Sequence, residues 1–303
     1  MHTPLAELAT DMRQTPMWDT YMRSIGWSVE NISGTYIFLN RLKYVHRSFA
    51  KIQHPKGPLD LQAIDQYFQS QHIDSAIIEP HLSGHQPEIY KDFRFKPTRM
   101  KFGSTATILV DMDQTSENLF SSFSENARRN IHKAQKLSLR TKIVNYNHSN
   151  PYAEFSNFFA LMTKVGKMRK FYIPSYAEMQ KKYAAFGDNQ FLAFAYNPQQ
   201  PDPIATVWFG YYDKTLAYLH TGITDSGYQS YANYLLVWEG LIEGQKRKLK
   251  VFDFEAIYDE RYPQDLKRWT GFTQFKKRFH GEIIHYPQPY LKNYSLFGKI
   301  FFR

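Results

Sequence analysis

The chain is predicted to be an α/β protein with mixed, α+β-type sheets, built as two domains in tandem. Its 303 residues exceed what a single hydrophobic core usually serves. Helix and strand patterns also run through a similar order twice, restarting near Lys142 with no low-complexity linker between the halves. The expected domains are therefore 1–145 and 146–285.

The first half opens with WDTYMRSIGW, where Trp18, Tyr21, Met22 and Ile25 recur at helical spacing and Gly26 ends the helix. TYIFLNRL reads as a strand. After the turn HPKGP, Asp60 is placed to cap a helix of LQAIDQYFQSQ, and IDSAIIEP is a buried strand stopped by Pro80. TATILVDM follows as another strand. Beyond Thr115, the residues Phe120, Phe123, Ala127, Ile131 and Ala134 define one face of a single amphipathic helix. Arg129, His132, Lys133 and Lys136 form a basic stripe on its other side.

The second half predicts a strand TKIVNY, helices over PYAEFSNFFALMTKVGK and SYAEMQKKYAAF, then strands NQFLAFAYN, PIATVWFGYY and TLAYLHTGI. NPQQPDP joins two of these as a hairpin loop. The long helix YANYLLVWEGLIEGQKRK and the strand KVFDFEA come next, and TQFKKRF and EIIHY close the pattern as strands. In a strand, Phe275, Lys277 and Phe279 share one side while Lys276 and Arg278 share the other.

Apolar residues make up 43 % of the chain and charged residues 22 %, which is a globular composition. Lysines and arginines number 38 against 28 aspartates and glutamates, and the resulting +10 favours an anionic partner such as RNA or an anionic membrane face. The absence of cysteine excludes disulfides, thiolate zinc sites and a cysteine nucleophile. No signal-peptide pattern or apolar run of membrane-spanning length is seen, so a cytoplasmic location is expected, with the C-terminal YLKNYSLFGKIFFR docking on the protein itself or on a membrane surface.

HExxH, GxxxxGK[ST], a GxGxxG after a strand and GxSxG are all missing, which removes support for metalloproteases, nucleotide hydrolases, dinucleotide enzymes and serine hydrolases. Asp111 with Asp113, and His81 with His85, lack companions at metal-binding spacing and read as turn residues.

The tract TRMKFGSTATILVDMDQTSENLFSSFSENARRNIHKAQK, with Arg128, Arg129, Asn130, Ile131, Lys133 and Ala134 in its RRNIxKA, resembles the FemABX-type peptidoglycan bridge aminoacyltransferases. The likeness extends to Trp18–Trp27, HPKGP, the IEP of IDSAIIEP, YANYLLVWEGLIEG with VFDFEAI, and GFTQFKKRFHGEIIHY, in order over nearly the whole chain. It implies two GNAT-like acyltransferase domains, with 286–303 packing back on the first, and the compact form without a coiled-coil arm. It further implies transfer of an amino acid from aminoacyl-tRNA to the side-chain amine of a peptidoglycan precursor's stem peptide, with no cofactor and no metal. The precursor is nucleotide- or lipid-linked, and contact with an anionic membrane would be peripheral.

In the family the lysine of the FK motif stabilises the tetrahedral oxyanion, and its match here is Lys276. Phe275, Tyr218 and Trp238 are expected to line the site, and Arg23, Arg169 and Tyr176 to contact the precursor. Arg128, Arg129, Lys133, Lys277 and Arg278 are expected to contact RNA or other phosphates. Three positions depart from the family pattern. Met22, followed by Arg23, stands where a first-helix lysine is common; the middle region offers Tyr172 before Tyr176 where an arginine precedes a tyrosine; and His280 replaces a glycine. Two alternatives stand beside this reading: an acyl-CoA-dependent N-acyltransferase, and a non-catalytic RNA- or membrane-binding scaffold. No RxxGxG/A pyrophosphate loop is found for the former.

Overall fold

The computed structural model describes residues 4–42, 47–83 and 85–301. Short elements lead in: α1 (Leu5–Leu8), a 3-10 turn (Met12–Gln14) and α2 (Pro16–Ser24). They are followed by β1 (Ser28–Ile32), β2 (Thr35–Leu42), β3 (Arg47–Gln53), α3 (Leu61–Ser70), β4 (Ser75–Glu79), α4 (Pro87–Asp92) and β5 (Lys96–Pro97). Next come β6 (Ala106–Asp111), α5 (Ser116–Ser122), α6 (Glu125–Lys136), β7 (Arg140–Asn145), α7 (Pro151–Arg169) and α8 (Tyr176–Phe186). Three long strands, β8 (Gln190–Tyr196), β9 (Pro203–Tyr212) and β10 (Thr215–Ile223), precede α9 (Asp225–Gln229), α10 (Ala232–Lys246) and β11 (Val251–Asp253). The chain closes with α11 (Pro263–Leu266), a 3-10 turn (Lys267–Trp269), α12 (Thr270–Lys277), β12 (Glu282–His285), β13 (Tyr290–Asn293) and α13 (Leu296–Phe301).

Many helix starts are set locally. The side chains of Thr15, Asp60, Thr115, Ser124, Asn150, Ser175 and Thr224 each accept a backbone N–H of the first turn that has no partner within the helix.

Two compact units result. One holds Thr10–Ala106 with the segment from Ile284 on; the other holds Thr107–Ile283 with the chain's start up to Ala9. The first contains a six-stranded sheet in the order β1-β2-β3-β4-β13-β5, in which β3 and β4 are parallel and β13 is antiparallel to both β4 and β5. One face of that sheet packs Ala50, Ile52, Ala76 and Ile78 against Ile64 and Phe68 of α3. The second contains a seven-stranded sheet in the order β12-β6-β11-β10-β9-β8-β7. Phe155, Phe158 and Met162 of α7 and Tyr183 of α8 pack there on Leu192, Phe194 and Trp208.

Several expectations need correction. Residues 107–145, expected in the first domain, fall in the second unit, because β6 pairs with β11 and α6 packs on α10. The helix expected after Thr115 is two helices: Phe123 is extended, and the Ser124 side chain takes the Ala127 N–H to begin a new one. TQFKKRF is helical rather than a strand, so the alternation that paired Lys277 with Phe275 and Phe279 does not exist. On α12 Thr273 shares Lys276's buried side at helical spacing, with Phe279 just beyond the end, while Phe272 is 38 % exposed. KVFDFEA is a strand only over Val251–Asp253.

Candidate functional site

The seven-stranded sheet opens beside β10. β10 and β11 run parallel, but their pairing covers only Thr215–Ala217 with Val251–Asp253, while β10 continues to Ile223 against β9 alone. Tyr218 is the first residue past the shared segment. A register shift then sets Tyr218 opposite Phe209 and His220 opposite Trp208. Successive residues of β9 point to opposite faces, so Tyr218 and His220 do too.

The chain leaves β11 through a tight, hydrogen-bonded turn. Phe254 N–H donates to the Ile108 carbonyl at 3.0 Å, Glu255 adopts a left-handed φ of 58°, and its N–H donates to Asp253 Oδ1 at 2.7 Å. The Thr107 hydroxyl lies between the Asp253 carboxylate and the Glu255 carbonyl, 2.8 Å from the latter. A non-glycine residue in this conformation is strained, and these bonds hold it there. The turn exposes the carbonyls of Phe254 and Ala256, and Lys276 Nζ donates to each at 2.7 Å.

Lys276 is 6 % exposed, with the Phe272 ring centroid 4.8 Å and the Tyr218 centroid 5.7 Å from its ammonium. Burial pushes the ammonium from its ordinary range down to about 8, while the Glu255 and Asp253 carboxylates pull the other way. At neutral pH the side chain is therefore charged. Two of its three N–H groups go to backbone carbonyls, which leaves one for a ligand. α12 is fixed by Thr273, whose Oγ1 accepts the Tyr258 N–H at 2.8 Å. It is also fixed by Gly281: a Cβ there would stand 2.5 Å from both Ile108 Cγ2 and the Leu109 carbonyl oxygen. His280, in the position where the family prefers glycine, is left-handed at φ 50°.

The structure brings only some of the sequence candidates to this place. Tyr218 is buried beside Lys276, and half-buried Phe275 packs edge-on against Tyr234 and Phe279. Trp238 packs edge-on against Phe120 and Phe123, in the contact between α10 and α5. Arg128 donates to the Ser121 carbonyl, Arg129 and Lys277 are exposed, and Arg278 donates to the Tyr234 hydroxyl. Lys133 is exposed, its ammonium 5.2 Å from the Tyr231 ring centroid. Arg169 pairs with Asp225, and the Tyr176 hydroxyl meets Ser156 Oγ at 2.8 Å. Arg23 belongs to the other unit, where it pairs with Asp19 and donates to the Val29 carbonyl.

That other unit holds a second polar constellation which the sequence did not single out as a site. Lys51 and Gln53 of β3 and Glu79 of β4 share the sheet face opposite the α3 core. Glu79 Oε1 accepts the N–H groups of Phe102 and Gly103 at 2.6 and 2.8 Å, while its buried Oε2 and the buried Gln53 Oε1 have no hydrogen-bond partner among the described residues. A Cβ on Gly103 would meet Glu79 Oε2, Gln53 Nε2 and His54 Cε1 at 3.1–3.2 Å, so the missing side chain leaves space where these groups converge. His54 Nδ1 bonds Asp11 Oδ2 at 2.7 Å, and its ring stacks on Tyr286. The ammonium of Lys51 is pushed down to about 8 by burial, against the pull of Glu79. His54 and Glu79 lie in HPKGP and IIEP, so the motifs themselves were the available signal.

Among the described residues, no three His, Asp or Glu side chains are grouped to hold a metal ion, and no helix is long and apolar enough to cross a membrane. No family model and no curated protein matches the sequence. Solved structures do match. FemX aligns with 97 % of this chain and 96 % of its own at a TM-score of 0.76 and 11 % identity. This chain has the FemX fold. Its two mixed sheets match the α/β class with mixed sheets that the sequence predicts. The C-terminal domain of a putative lysylphosphatidylglycerol synthetase from Agrobacterium fabrum matches over 96 % of this chain and 92 % of its own, at TM 0.60 and 14 % identity. L-PGS from Bacillus licheniformis matches over 92 % and 89 %, at TM 0.61 and 14 % identity. Across this FemX-like fold, Lys276 sits where the parallel strand pair separates.

Proposed function

We propose that the protein is an aminoacyltransferase that moves an amino acid from aminoacyl-tRNA to the side-chain amine of a peptidoglycan precursor's stem peptide. The observation that carries this is Lys276: a buried ammonium, held by two carbonyls, with one N–H to spare at the sheet opening. Aminolysis of an ester forms a C–N bond, passes through a tetrahedral oxyanion and releases the ribose hydroxyl. A fixed cation in a water-poor site stabilises that oxyanion without reorganising. The ester is already activated, so positioning and charge stabilisation suffice and no cofactor is needed.

A second reading keeps the donor and changes the acceptor to a membrane lipid. It is favoured by the two lysylphosphatidylglycerol-synthetase-type neighbours and by α13, where Leu296 and Ile300 are exposed beside Lys299. The deciding experiment offers labelled amino acids on a mixed tRNA pool to a muramyl-pentapeptide precursor or to phosphatidylglycerol, using wild type and Lys276→Met. RNase-sensitive transfer to the precursor, lost in the variant, supports the first reading. Transfer to lipid alone supports the second, and absence of transfer by folded protein to either acceptor overturns both.

A further inference from the structure

α13 is pinned to the unit of the six-stranded sheet by one of its sides. Ser295 donates its hydroxyl to Asp74 Oδ1 and accepts the Gly298 N–H at 3.1 Å. A Cβ on Gly298 would collide with the Asp74 carbonyl oxygen and Ser75 Oγ, and the Arg47 guanidinium lies 3.7 Å from the Phe297 ring centroid. That orientation leaves Leu296, Lys299 and Ile300, three and four positions apart, on the outward side. Leu296 is 78 % and Ile300 65 % exposed, more than any other large aliphatic side chain among the described residues. A single exposed aliphatic is ordinary, but two on one turn of a helix held in place make a contact surface.

Lys299 also lines a cavity of about 830 Å³ between α3, β5 and β13. Its walls carry four cations, Arg94, Lys96, Lys292 and Lys299, against two carboxylates, Asp65 and Asp92. Asp65 is already engaged, accepting from Lys292, Tyr294 and Gln69. Lys292 spends one N–H there and has donors left for a ligand. Arg94, Lys96 and Lys299 are exposed, so an anion reaches them without rearrangement of the fold. Lys292 lies opposite Ala76 and Asn293 opposite Ser75, at the start of β4, whereas Gln53 and Glu79 stand at the ends of β3 and β4. The cavity is therefore at the other end of the sheet from that polar constellation.

We propose that this cavity and the outward side of α13 form one docking site for an anionic phospholipid at a bilayer surface. The phosphate enters among Lys292, Lys299, Arg94 and Lys96, and Leu296 and Ile300 enter the acyl layer beside it. Cations next to exposed aliphatic side chains match an interface where negative charge borders hydrocarbon. A soluble phosphate would satisfy the cations and leave both aliphatics in water. A nucleic-acid strand would do the same, since neither residue offers a ring for a base to stack on. The site uses nothing from the surroundings of Lys276, and it stands whether the acceptor in the reaction proposed above is a precursor or a lipid.

The test sediments the full chain with vesicles of phosphatidylglycerol mixed into phosphatidylcholine, and with phosphatidylcholine alone, in the absence of donor and acceptor. Wild type should bind the anionic vesicles, less so at high salt, and bind the neutral ones only weakly. Lys96→Gln and Lys299→Gln should each weaken binding about fivefold. Leu296→Gln combined with Ile300→Gln should weaken it at least about tenfold. All four side chains are exposed, so urea midpoints should stay at the wild-type value. Absence of vesicle binding, or binding that neither set of changes moves, overturns the proposal. Binding weakened by the lysine changes and untouched by the aliphatic pair also overturns it, by assigning the cavity to a soluble phosphate. So does a concentration-dependent dimer that the aliphatic changes abolish in light scattering while vesicles are not bound, which gives α13 to a second copy of the chain. Vesicle binding without transfer to any acceptor sinks the proposed reaction alone.

Discussion

The ammonium of Lys276 stands 2.7 Å from the carbonyl oxygen of Phe254, the residue at which β11 ceases to be a strand. The strained turn and the buried charge therefore depend on one another. Left-handed Glu255 turns two carbonyls out of the sheet, and the lysine satisfies both where water is excluded.

Replacing Lys276 by Met should lower the transfer rate by ~100- to 1000-fold, the usual effect of removing one oxyanion donor. Because burial brings this lysine down to about 8, its charge is lost as pH rises through that value. The wild-type rate should then fall on the alkaline side with an apparent pKa near 8, a limb that Lys276→Met lacks. The same alkaline limb in the variant would assign it to another group.

Stability should show the complementary trend. Between about 8 and the ordinary value of 10.5 the unfolded chain carries a proton on Lys276 that the folded chain has lost. Stability from this group therefore rises with pH across that window, and the burial penalty is fully present below it, up to about 3 kcal/mol. Denaturant titrations of wild type minus Lys276→Met, taken from pH 7.5 to about 10, should show the difference moving in favour of wild type. A flat difference would mean that the two carbonyls keep the lysine charged throughout.

Much of this architecture was legible because hydrophobic spacing and capping residues act locally. Asp60, Thr115 and Ser175 start helices where the sequence places them, and β8 to β10 follow their apolar runs. The failures sit where tertiary contacts override local pattern. Phe275, Lys277 and Phe279 alternate as in a strand, yet α12 is helical because Thr273, Lys276 and Phe279 must all be buried. The FK motif directs attention to Lys276, but the pair of carbonyls that hold it cannot be read from side chains, since they are main-chain atoms. Glu79 and His54 stood in quoted motifs, but their convergence at Gly103 arises from neighbouring strands far apart in sequence.

Gly281→Ala should destabilise the protein by about 1–3 kcal/mol or more, because its new methyl would lie 2.5 Å from the Leu109 carbonyl and Ile108. α12 ends only a few residues earlier, so relief of the clash displaces Lys276 as well. Urea midpoints and transfer rates should both drop. A variant of unchanged midpoint would show that the strand β6 can yield there.

His81 is buried and neutral, its imidazole pushed down to about 4 by burial, with His54 adding to this and Asp11 opposing it. In the unfolded chain it titrates near 6.5. Between those values the unfolded state binds the extra proton, so stability falls as pH drops through the window, by up to about 3 kcal/mol when complete. His220, also held neutral by burial and by Lys182 beside it, acts in the same direction in the other unit. His81→Asn retains an acceptor for the Ser83 N–H, which His81 Nδ1 receives at 3.1 Å, without the titration. Unfolding free energies measured from pH 7 to about 4 should decline less steeply in this variant than in wild type. Parallel curves would show that acid unfolding is set elsewhere.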